Sequence, residues 1–425
     1  MRKIIFLLLL FLPFIINAQS DKKYNALPVG NAPIIDGLLI DKAWQKGEWE
    51  GQFVQFEPNS GDEPLQQTQF KIFYDNDNIY VALRCFDTET KKINKQFSRR
   101  DAGEGDLIGV TFDSYFDKRT GFFFGVSAAG VKTDMVFSND GQSQDVTWDP
   151  VWYVKTNIDS LGWTAEMRIP LSQLRFNPES EIWGLGVMRQ IYRNSEMSAW
   201  PSFDPNASGL ISQFGEMHGM NNLKPKKNIE ISPYIMAGVK RYEKEDGNPY
   251  ADGYDFIKNA GLDGKIGITN DFTLDFSINP DFGQVEADPS VVNLTAYETY
   301  FSEKRPFFVE NKNITQFDIS FRSEGLFYSR RIGRSPQGYP DFSSGEFAKM
   351  PERTRILGAL KFSGKSKNGW SIGIIESLTN REFATIMQID GTERKESVEP
   401  LTNYFIARVQ KDFNKGNSIF GVIFT

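Results

Sequence analysis

Apolar and polar residues alternate along much of the second half of the chain. Segment 271–279 is the clearest case, with apolar residues at Phe272, Leu274, Phe276 and Ile278 and a polar residue after each. Because successive side chains of a strand point to opposite faces, this alternation predicts strands at 229–240, 259–269, 271–279, 355–363, 369–377, 403–411 and 417–425. Segments of about ten residues with one apolar face are typical of outer-membrane strands, and they also fit a soluble antiparallel sheet with one hydrated face.

The connections between these strands alternate between short and long. The short ones are 269–270, 364–368 and 412–416, and the long ones are 241–257, 280–354 and 378–402. Outer-membrane barrels keep short turns in the periplasm and long loops outside, so strand 229–240 is expected to rise from the periplasm. Single-chain bacterial barrels have an even number of strands. The odd number predicted here means either that the chain has one more strand than the pattern reveals or that it is the front part of a longer barrel, and we favour the second.

The longest connection, 280–354, contains an acidic stretch that ends in the basic and aromatic sequence EKRPFF at 303–308. Long structureless loops are uncommon in compact domains, so we predict a cap or plug that folds into or over a barrel lumen. Its predicted anchors are Lys304, Arg305, Phe307 and Phe308. We expect the two basic residues to face carboxylates on the inner wall, such as those of Asp263, Asp275 or Glu230.

The first half of the chain has shorter apolar runs separated by polar turns. These runs predict a hairpin within 68–87 and further strands at 106–116, 121–130, 131–138, 151–158, 162–170 and 182–192. Short strands at this spacing are typical of an antiparallel β-sandwich. The predicted fold class is therefore all-β, with a sandwich followed by part of an outer-membrane barrel.

The N-terminus carries the pattern of an export signal. Two basic residues precede the apolar run 4–16, and a small-residue cleavage site follows at residues 17–18. This predicts a secretory signal peptide over 1–18, the alternative being an anchor that is retained. The later sequence has no apolar run near the roughly 20 residues of a membrane helix.

The composition limits the kinds of binding and catalytic site that the chain can contain. The net charge of −7 and the pI near 5.2 argue against a nucleic-acid surface. The single histidine, His218, excludes a histidine-rich metal site, and the single cysteine, Cys85, is predicted to be buried. A pair of carboxylates acting on a glycosidic bond remains open.

Four segments of the first half resemble carbohydrate-binding module family 9. They are IIDGLLIDKAWQKG at 34–47, FYDNDNIYVALRCFD at 73–87, DLIGVTFD at 106–113 and GWTAEMRIPLSQL at 162–174. The resemblance implies a family 9-like sandwich over 26–220. It also implies a sugar held between aromatic rings, and the candidate carbohydrate-binding residues are Trp148, Trp152, Trp200 and Glu104. Core packing is the alternative for Trp148 and Trp152.

The family also suggests a structural Ca²⁺. The acidic loop at 139–145 offers oxygen ligands from Asn139, Asp140 and Asp145. Its spacing is not that of an EF-hand.

The second half, 228–425, is similar to a Gram-negative outer-membrane family of unknown function. The similarity rests on NPDFGQVEADPSVVNLTAYETYFSEKRPFFVE at 279–310 and LFYSRRIGR at 326–334. In that family a family 9-like domain precedes a β-barrel. This implies an outer-membrane location with the N-terminal domain in the periplasm.

Three functions follow as alternatives. The first is an outer-membrane protein that binds or handles glycans, or passes solutes, in carbohydrate catabolism. The second is an O-glycosyl hydrolase with a carboxylate pair. The third is a structural or assembly protein whose sandwich docks a partner. The expected partners are a carbohydrate and the lipid of the outer membrane, with no nucleic acid and no protein partner identified.

Overall fold

The chain is described from a computed structural model. It describes residues 22–176, 180–221, 223, 228–269, 271–280, 303–315, 325–366, 368–413 and 418–425. The predicted signal peptide, 1–18, and most of the acidic stretch before Glu303 lie outside these residues. Within them, no helix has the length and apolar character needed to cross a membrane.

The first half forms a β-sandwich. Its strands are β1 (Lys23–Asn25), β2 (Leu27–Pro28), β3 (Val54–Glu57), β4 (Thr68–Tyr74), β5 (Asn78–Phe86), β6 (Leu107–Asp113), β7 (Gly121–Ser127), β8 (Lys132–Ser138), β9 (Ser143–Asp145), β10 (Tyr153–Asp159), β11 (Gly162–Pro170), β12 (Ile182–Ile191), β13 (Glu196–Trp200) and β14 (Gly215–His218). One sheet has the order β1-β14-β12-β6-β7-β8-β9, with β13 and β3 attached through β12, and the other has the order β10-β11-β5-β4-β2. Apolar residues of both sheets form one large buried core.

Two local sequence features explain how this sandwich is held. The Asp75 carboxylate accepts the backbone N–H groups of Asp77 and Asn78 at 2.7 Å, which closes the turn predicted between β4 and β5. The buried carboxylate of Glu166 in β11 accepts the N–H groups of Asp36 and Gly37. It also accepts the indole N–H of Trp44. The separated motif residues at 36–44 and 166 therefore form one hydrogen-bonded unit.

The second half forms a seven-stranded antiparallel sheet and a small sheet. The strands are β15 (Ile229–Arg241), β16 (Tyr254–Gly267), β17 (Phe272–Ile278), β18 (Phe347–Lys349), β19 (Ile356–Lys365), β20 (Trp370–Thr379), β21 (Glu382–Met387), β22 (Glu393–Glu399), β23 (Thr402–Phe413) and β24 (Ser418–Phe424). The large sheet has the order β15-β16-β17-β19-β20-β23-β24, and β18-β21-β22 form the small sheet. All seven strands predicted by alternation occur. The all-β fold class with an N-terminal sandwich is confirmed, and the barrel stays a prediction.

The described part of the long connection packs against one face of the large sheet. It contains two short helices, α1 (Pro306–Val309) and α2 (Lys312–Thr315). Phe308 of α1 is buried with Ile332, Ile356 and Ile375, and α2 lies against β19, β20 and β23. We call residues 303–315 the inner segment, the sheet face beneath it the covered face, and the opposite face the open face.

Candidate functional site

Two of the aromatic residues predicted to contact sugar are buried in the sandwich. Trp152 is 1% exposed and Trp200 is fully buried. Their indole N–H groups donate to carboxylates, Trp152 to Asp134 at 3.1 Å and Trp200 to Glu50 at 3.2 Å. Neither ring has a free face for a sugar. In this structure both side chains fill the core, as large aromatic side chains commonly do, and sugar binding by them stays a prediction.

The other two candidate sugar-binding residues are accessible, but they have different neighbours. Trp148 is half-buried, with its ring 5.3 Å from that of Phe122 and 5.4 Å from that of Phe124. Glu104 is exposed and accepts one hydrogen bond, from Gln96 at 3.3 Å. The four candidates therefore do not converge on one clamp.

In the loop proposed for Ca²⁺, the side-chain oxygens accept hydrogen bonds from neighbouring protein groups. The Asp140 carboxylate accepts the N–H of Ser212 at 2.7 Å, and the Asp145 carboxylate accepts the N–H of Thr147 at 3.0 Å. Among the residues that the structure describes, no group of three or more acidic, histidine or cysteine side chains has the arrangement of a metal site. Asn139 accepts a hydrogen bond from Arg119 at 3.4 Å, so all three side chains connect the loop to neighbouring segments.

The covered face of the large sheet carries buried charges. Lys361 of β19 is 1% exposed and Asp275 of β17 is 5% exposed, and Lys361 Nζ lies 3.2 Å from Asp275 Oδ2. The ammonium of Lys361 also donates to the backbone carbonyls of Phe307 and Glu310 in the inner segment. A second lysine, Lys265 of β16, forms an ion pair with the Glu310 carboxylate. Lysines of the sheet thus hold carbonyl and carboxylate oxygens of the inner segment.

Arg305 pairs with a carboxylate of the inner segment and joins that segment to the chain at 329–332. Its guanidinium donates to the Glu303 carboxylate at 2.7 Å and to the carbonyls of Ser329 and Ile332, also at 2.7 Å. The side chains of Glu303 and Arg305 are 2% and 6% exposed. Burial alone would raise the pKa of Glu303, but the hydrogen bonds and charge of Arg305 hold that pKa below its usual value. We call this pair with its two carbonyls the arginine clasp.

The structure corrects the charge pattern expected for the anchors. Arg305 pairs with Glu303 of its own segment, rather than with Asp263, Asp275 or Glu230 of the sheet. Those carboxylates have other neighbours, since Asp263 accepts from Ser277, Asp275 faces Lys361, and Glu230 accepts from Gln173 and Asn228. We expected a cation on the inner segment and an anion on the sheet. In the Lys265–Glu310 pair the cation lies on the sheet and the anion on the inner segment.

The aromatic anchors lie close to these cations. The Lys361 ammonium is 4.9 Å from the centroid of the Phe307 ring, and the Arg305 guanidinium is 4.3 Å from that of Phe308. Phe308 is buried and Phe307 is half-buried. Lys304, also half-buried, hydrogen-bonds through its backbone N–H to Glu303. Lys265 and Lys361 were not among the predicted anchors. Each is a lysine at a polar position of an alternating strand, and this is the sequence feature that could have identified them.

A cavity of about 320 Å³ lies where the sandwich, the sheet and the inner segment meet. Its wall includes Trp148, Gln173, Arg175, Lys265, Thr273 and Glu310. Hydrogen bonds cross the same junction, from Tyr115 to Asp271 at 2.7 Å and from Thr147 to the Val309 carbonyl at 3.2 Å. The sandwich therefore touches both the sheet and the inner segment.

Comparison with known protein families divides the chain into the same two parts. Residues 35–205 match the family described as Carbohydrate family 9 binding domain-like. Residues 225–425 match the family described as Domain of unknown function, DUF5916. No curated protein matches the chain.

Solved structures similar to the N-terminal part include family 9 carbohydrate-binding modules. One, from Caldicellulosiruptor kristjanssonii in complex with glucose, is 20% identical and covers 48% of this chain and 97% of its own, with a TM-score of 0.35. The module from the same organism in complex with cellotriose is 21% identical over 48% of this chain and 95% of its own, with a TM-score of 0.35. A protein of Bacteroides uniformis that is described as a candidate carbohydrate-binding protein is 12% identical over 47% of this chain and 99% of its own, with a TM-score of 0.37. By the family models, the N-terminal part of the chain is similar to family 9 carbohydrate-binding domains and the C-terminal part to DUF5916.

Proposed function

We propose that this chain is an outer-membrane protein whose large sheet forms part of a β-barrel wall and whose sandwich binds glycan in the periplasm. The observation that carries the membrane location is the reversed polarity of the sheet. Its covered face bears buried charged and hydroxyl side chains, whereas its open face exposes large apolar ones. The most exposed of these include Ile231 at 63%, Ile235 at 88%, Phe256 at 68%, Val422 at 59% and Phe424 at 64%.

A soluble sheet buries its apolar face, so this arrangement is costly in water. Monomeric soluble proteins rarely expose contiguous apolar patches larger than a few hundred Å². Hydrocarbon lipid removes the cost, because outer-membrane strands turn apolar residues outward and polar residues toward the lumen. The inner segment then occupies the lumen side of the wall, held by Lys265 and Lys361.

The carbohydrate role is supported by the N-terminal match to carbohydrate-binding family 9. Relatives of that fold have been solved with glucose and with cellotriose. A periplasmic sandwich that contacts the inner segment suits the binding or handling of a glycan that passes the membrane or is degraded beneath it. Carbohydrate catabolism is the process we propose for it.

Two measurements on the full chain test the two halves of the proposal. Membrane insertion predicts that the protein stays with outer membranes through carbonate and high-salt washing. Glycan binding predicts that the detergent-solubilised chain binds a subset of an array of plant and bacterial glycans. Recovery in the soluble periplasmic fraction rejects the membrane role, and an array without binding rejects the carbohydrate role.

A docking role is the second candidate, and it is favoured by the burial of Trp152 and Trp200. Without these rings the sandwich lacks the expected clamp, and its surface would bind a protein partner instead. A glycosyl hydrolase is less well supported at the described cavity. Glu310 is the carboxylate among the wall residues there, and it is paired with Lys265, whereas the usual mechanism needs two carboxylic groups.

A further inference from the structure

Arg175 in the wall of the junction cavity makes no direct ion pair with the described residues, and its charge acts at longer range on the Glu310 carboxylate. Arg175 Nη2 donates to the Thr273 hydroxyl at 3.3 Å. Within the described part of the chain, no carboxylate lies within ion-pair distance of Arg175. A guanidinium has five N–H donors, and the described residues accept one hydrogen bond from Arg175, so its other donors can serve a ligand in the cavity.

The other charged groups of the wall already neutralise each other. Lys265 and Glu310 form an ion pair. The nearby carboxylate of Glu230 accepts from the amides of Gln173 at 3.1 Å and Asn228 at 2.6 Å, and Glu230 is not part of the wall. Arg175 is therefore the group that a negatively charged ligand would meet.

Trp148 supplies an aromatic part of the same wall. Its ring is fixed from behind by the rings of Phe122 and Phe124, so its orientation needs no ordering when a ligand binds. A flat indole offers apolar contact to the C–H face of a pyranose, and its N–H adds a polar edge. An aromatic surface beside a guanidinium that makes no direct ion pair with the described residues matches a sugar that carries an acid group.

The size of the cavity limits the ligand. Small-molecule pockets range from about 300 to 1,000 Å³, and about 320 Å³ is at the lower end. It suits one sugar residue rather than an extended chain. The wall residue Ile268 is 44% exposed, so the cavity reaches the surface at this side.

We propose that the junction cavity binds a single acidic sugar residue, such as a uronic acid at the end of a glycan. The carboxylate pairs with the guanidinium of Arg175, with the planar geometry that arginine offers to carboxylates, and the ring lies on Trp148. This inference rests on the proposed carbohydrate-binding role and adds a site and a ligand class to it. The site differs from the clamp expected within the sandwich, because the sheet and the inner segment provide half of its wall.

The test is isothermal titration calorimetry of the full chain in detergent with two probes of equal ring shape. Methyl β-D-glucuronide carries the carboxylate, and methyl β-D-glucoside has a hydroxymethyl group in its place. We expect the glucuronide to bind at least about tenfold more tightly, since hydrogen bonds between charged groups are stronger than those between neutral ones. Arg175→Gln should abolish this preference.

Arg168→Gln is the matched control, because Arg168 stacks on Tyr153 with 4.2 Å between the guanidinium carbon and the ring centroid and is not part of the wall. It should keep the tenfold preference. Trp148→Phe, which keeps an aromatic ring against Phe122, should weaken both probes by a similar factor. Near-ultraviolet circular dichroism of each variant separates lost binding from lost folding.

The outcomes distinguish the two proposals. Equal affinity for both probes, or an undiminished preference in Arg175→Gln, overturns the acidic-sugar site and leaves the carbohydrate role in place. Failure of the wild-type chain to bind these probes or any glycan of an array overturns both. Loss of the preference in Arg175→Gln alone supports the site.

Discussion

Arg305 and Lys304 are neighbours in the sequence, yet only Arg305 is enclosed by its surroundings. Replacing it with alanine leaves the buried Glu303 carboxylate without its main partner and removes donors from the carbonyls of Ser329 and Ile332. Breaking a buried ion pair in this way costs about 3–5 kcal/mol. We expect Arg305→Ala to raise the rate of chymotrypsin cleavage at Phe307 and Phe308 at least about tenfold in the solubilised chain, because local opening becomes more populated.

Lys304→Ala is the control for this prediction, since it also removes one positive charge and leaves the chymotrypsin sites unchanged. Its cleavage rate should stay within about twofold of that of the wild type, as for most surface substitutions. Equal rates for the two variants would contradict the arginine clasp. Mass spectrometry of the fragments identifies the bond that is cut.

The buried side chain of Asp113 in the sandwich should make the free energy of unfolding depend on pH. Burial, with the neighbouring carboxylate of Asp117 adding to it, raises the pKa of Asp113 from 3.8 to about 7. Between these two values the folded chain holds a proton that the unfolded chain has lost. The contribution of Asp113 to the free energy of unfolding therefore falls as the pH rises from about 4 to 7, and it is constant above that range.

Asp117→Asn tests this sign. The amide oxygen can still accept the N–H groups of Arg119 and Thr120 that the carboxylate accepts now, while the charge that opposes ionisation of Asp113 is removed. The variant should be more stable than the wild type at pH 8, by less than about 1.4 kcal/mol because Asp117 is exposed, and equally stable at pH 4. Urea unfolding followed by tryptophan fluorescence measures both differences, and a gain of the same size at both pH values would rule out this linkage.

Individual contacts were the part of the site that the sequence could predict least. The basic and aromatic residues at 304–308 were identified by their unusual clustering, but their partners depend on how residues far apart in the chain meet. Trp152 and Trp200 have the composition of a sugar site, and only the three-dimensional packing reveals that both are buried. Arg175 was not predicted as a site residue, because a single arginine in a polar segment forms no distinctive sequence pattern.

Strand β15 allows the proposed membrane contact to be tested at the level of one element. Ile235 lies at the centre of this strand and is 88% exposed on the open face. If the open face meets lipid, Ile235→Lys places a charge near the middle of the bilayer, which costs about 2–4 kcal/mol. We expect the yield of folded protein in outer membranes, and folding into lipid vesicles, to fall by at least tenfold.

Ser232→Lys, on the opposite face of the same strand, is the matched substitution. It lies opposite Asp263 of β16, so the new ammonium has a carboxylate beside it and the yield should change little. A soluble sheet predicts the reverse order for Ile235, since replacing an exposed isoleucine by lysine would improve solubility. Similar yields of the Ile235→Lys chain and the wild type would therefore argue against the membrane wall.

The strands themselves were predictable because one physical rule acts on every residue of them. Alternation predicted 229–240 and 403–411, and the structure has Ile229–Arg241 and Thr402–Phe413. The small sheet was missed. Its strands lie inside the segments that were predicted to be long loops. The strand β22, Glu393–Glu399, is mostly charged, so it has no alternating apolar pattern.

The two ends of the large sheet are occupied by different parts of the molecule. The sandwich contacts residues near the short turns, through Tyr115 to Asp271 and Arg175 to Thr273. The opposite end, at the long connections, carries the small sheet, where Tyr250 donates to Glu393 at 2.9 Å. This separation agrees with the loop-length rule for outer-membrane barrels, in which short turns face the periplasm, and it motivates a test of orientation.

External protease on intact cells should therefore distinguish the two ends. Lys244, in the long connection after β15, has a side chain that is 66% exposed, and Lys92 of the sandwich has one that is 63% exposed. Both are accessible to trypsin on the isolated chain, so only the membrane can make their cleavage differ. We expect trypsin added to intact cells to cut within 242–253 and to leave the sandwich, 26–220, whole, whereas trypsin added after the outer membrane is permeabilised should cut both. Lys244→Gln removes the expected external site in that connection and serves as the control for its assignment. Cleavage of the sandwich on intact cells, with the connection at 242–253 protected, would mean that the sheet crosses the membrane in the opposite direction.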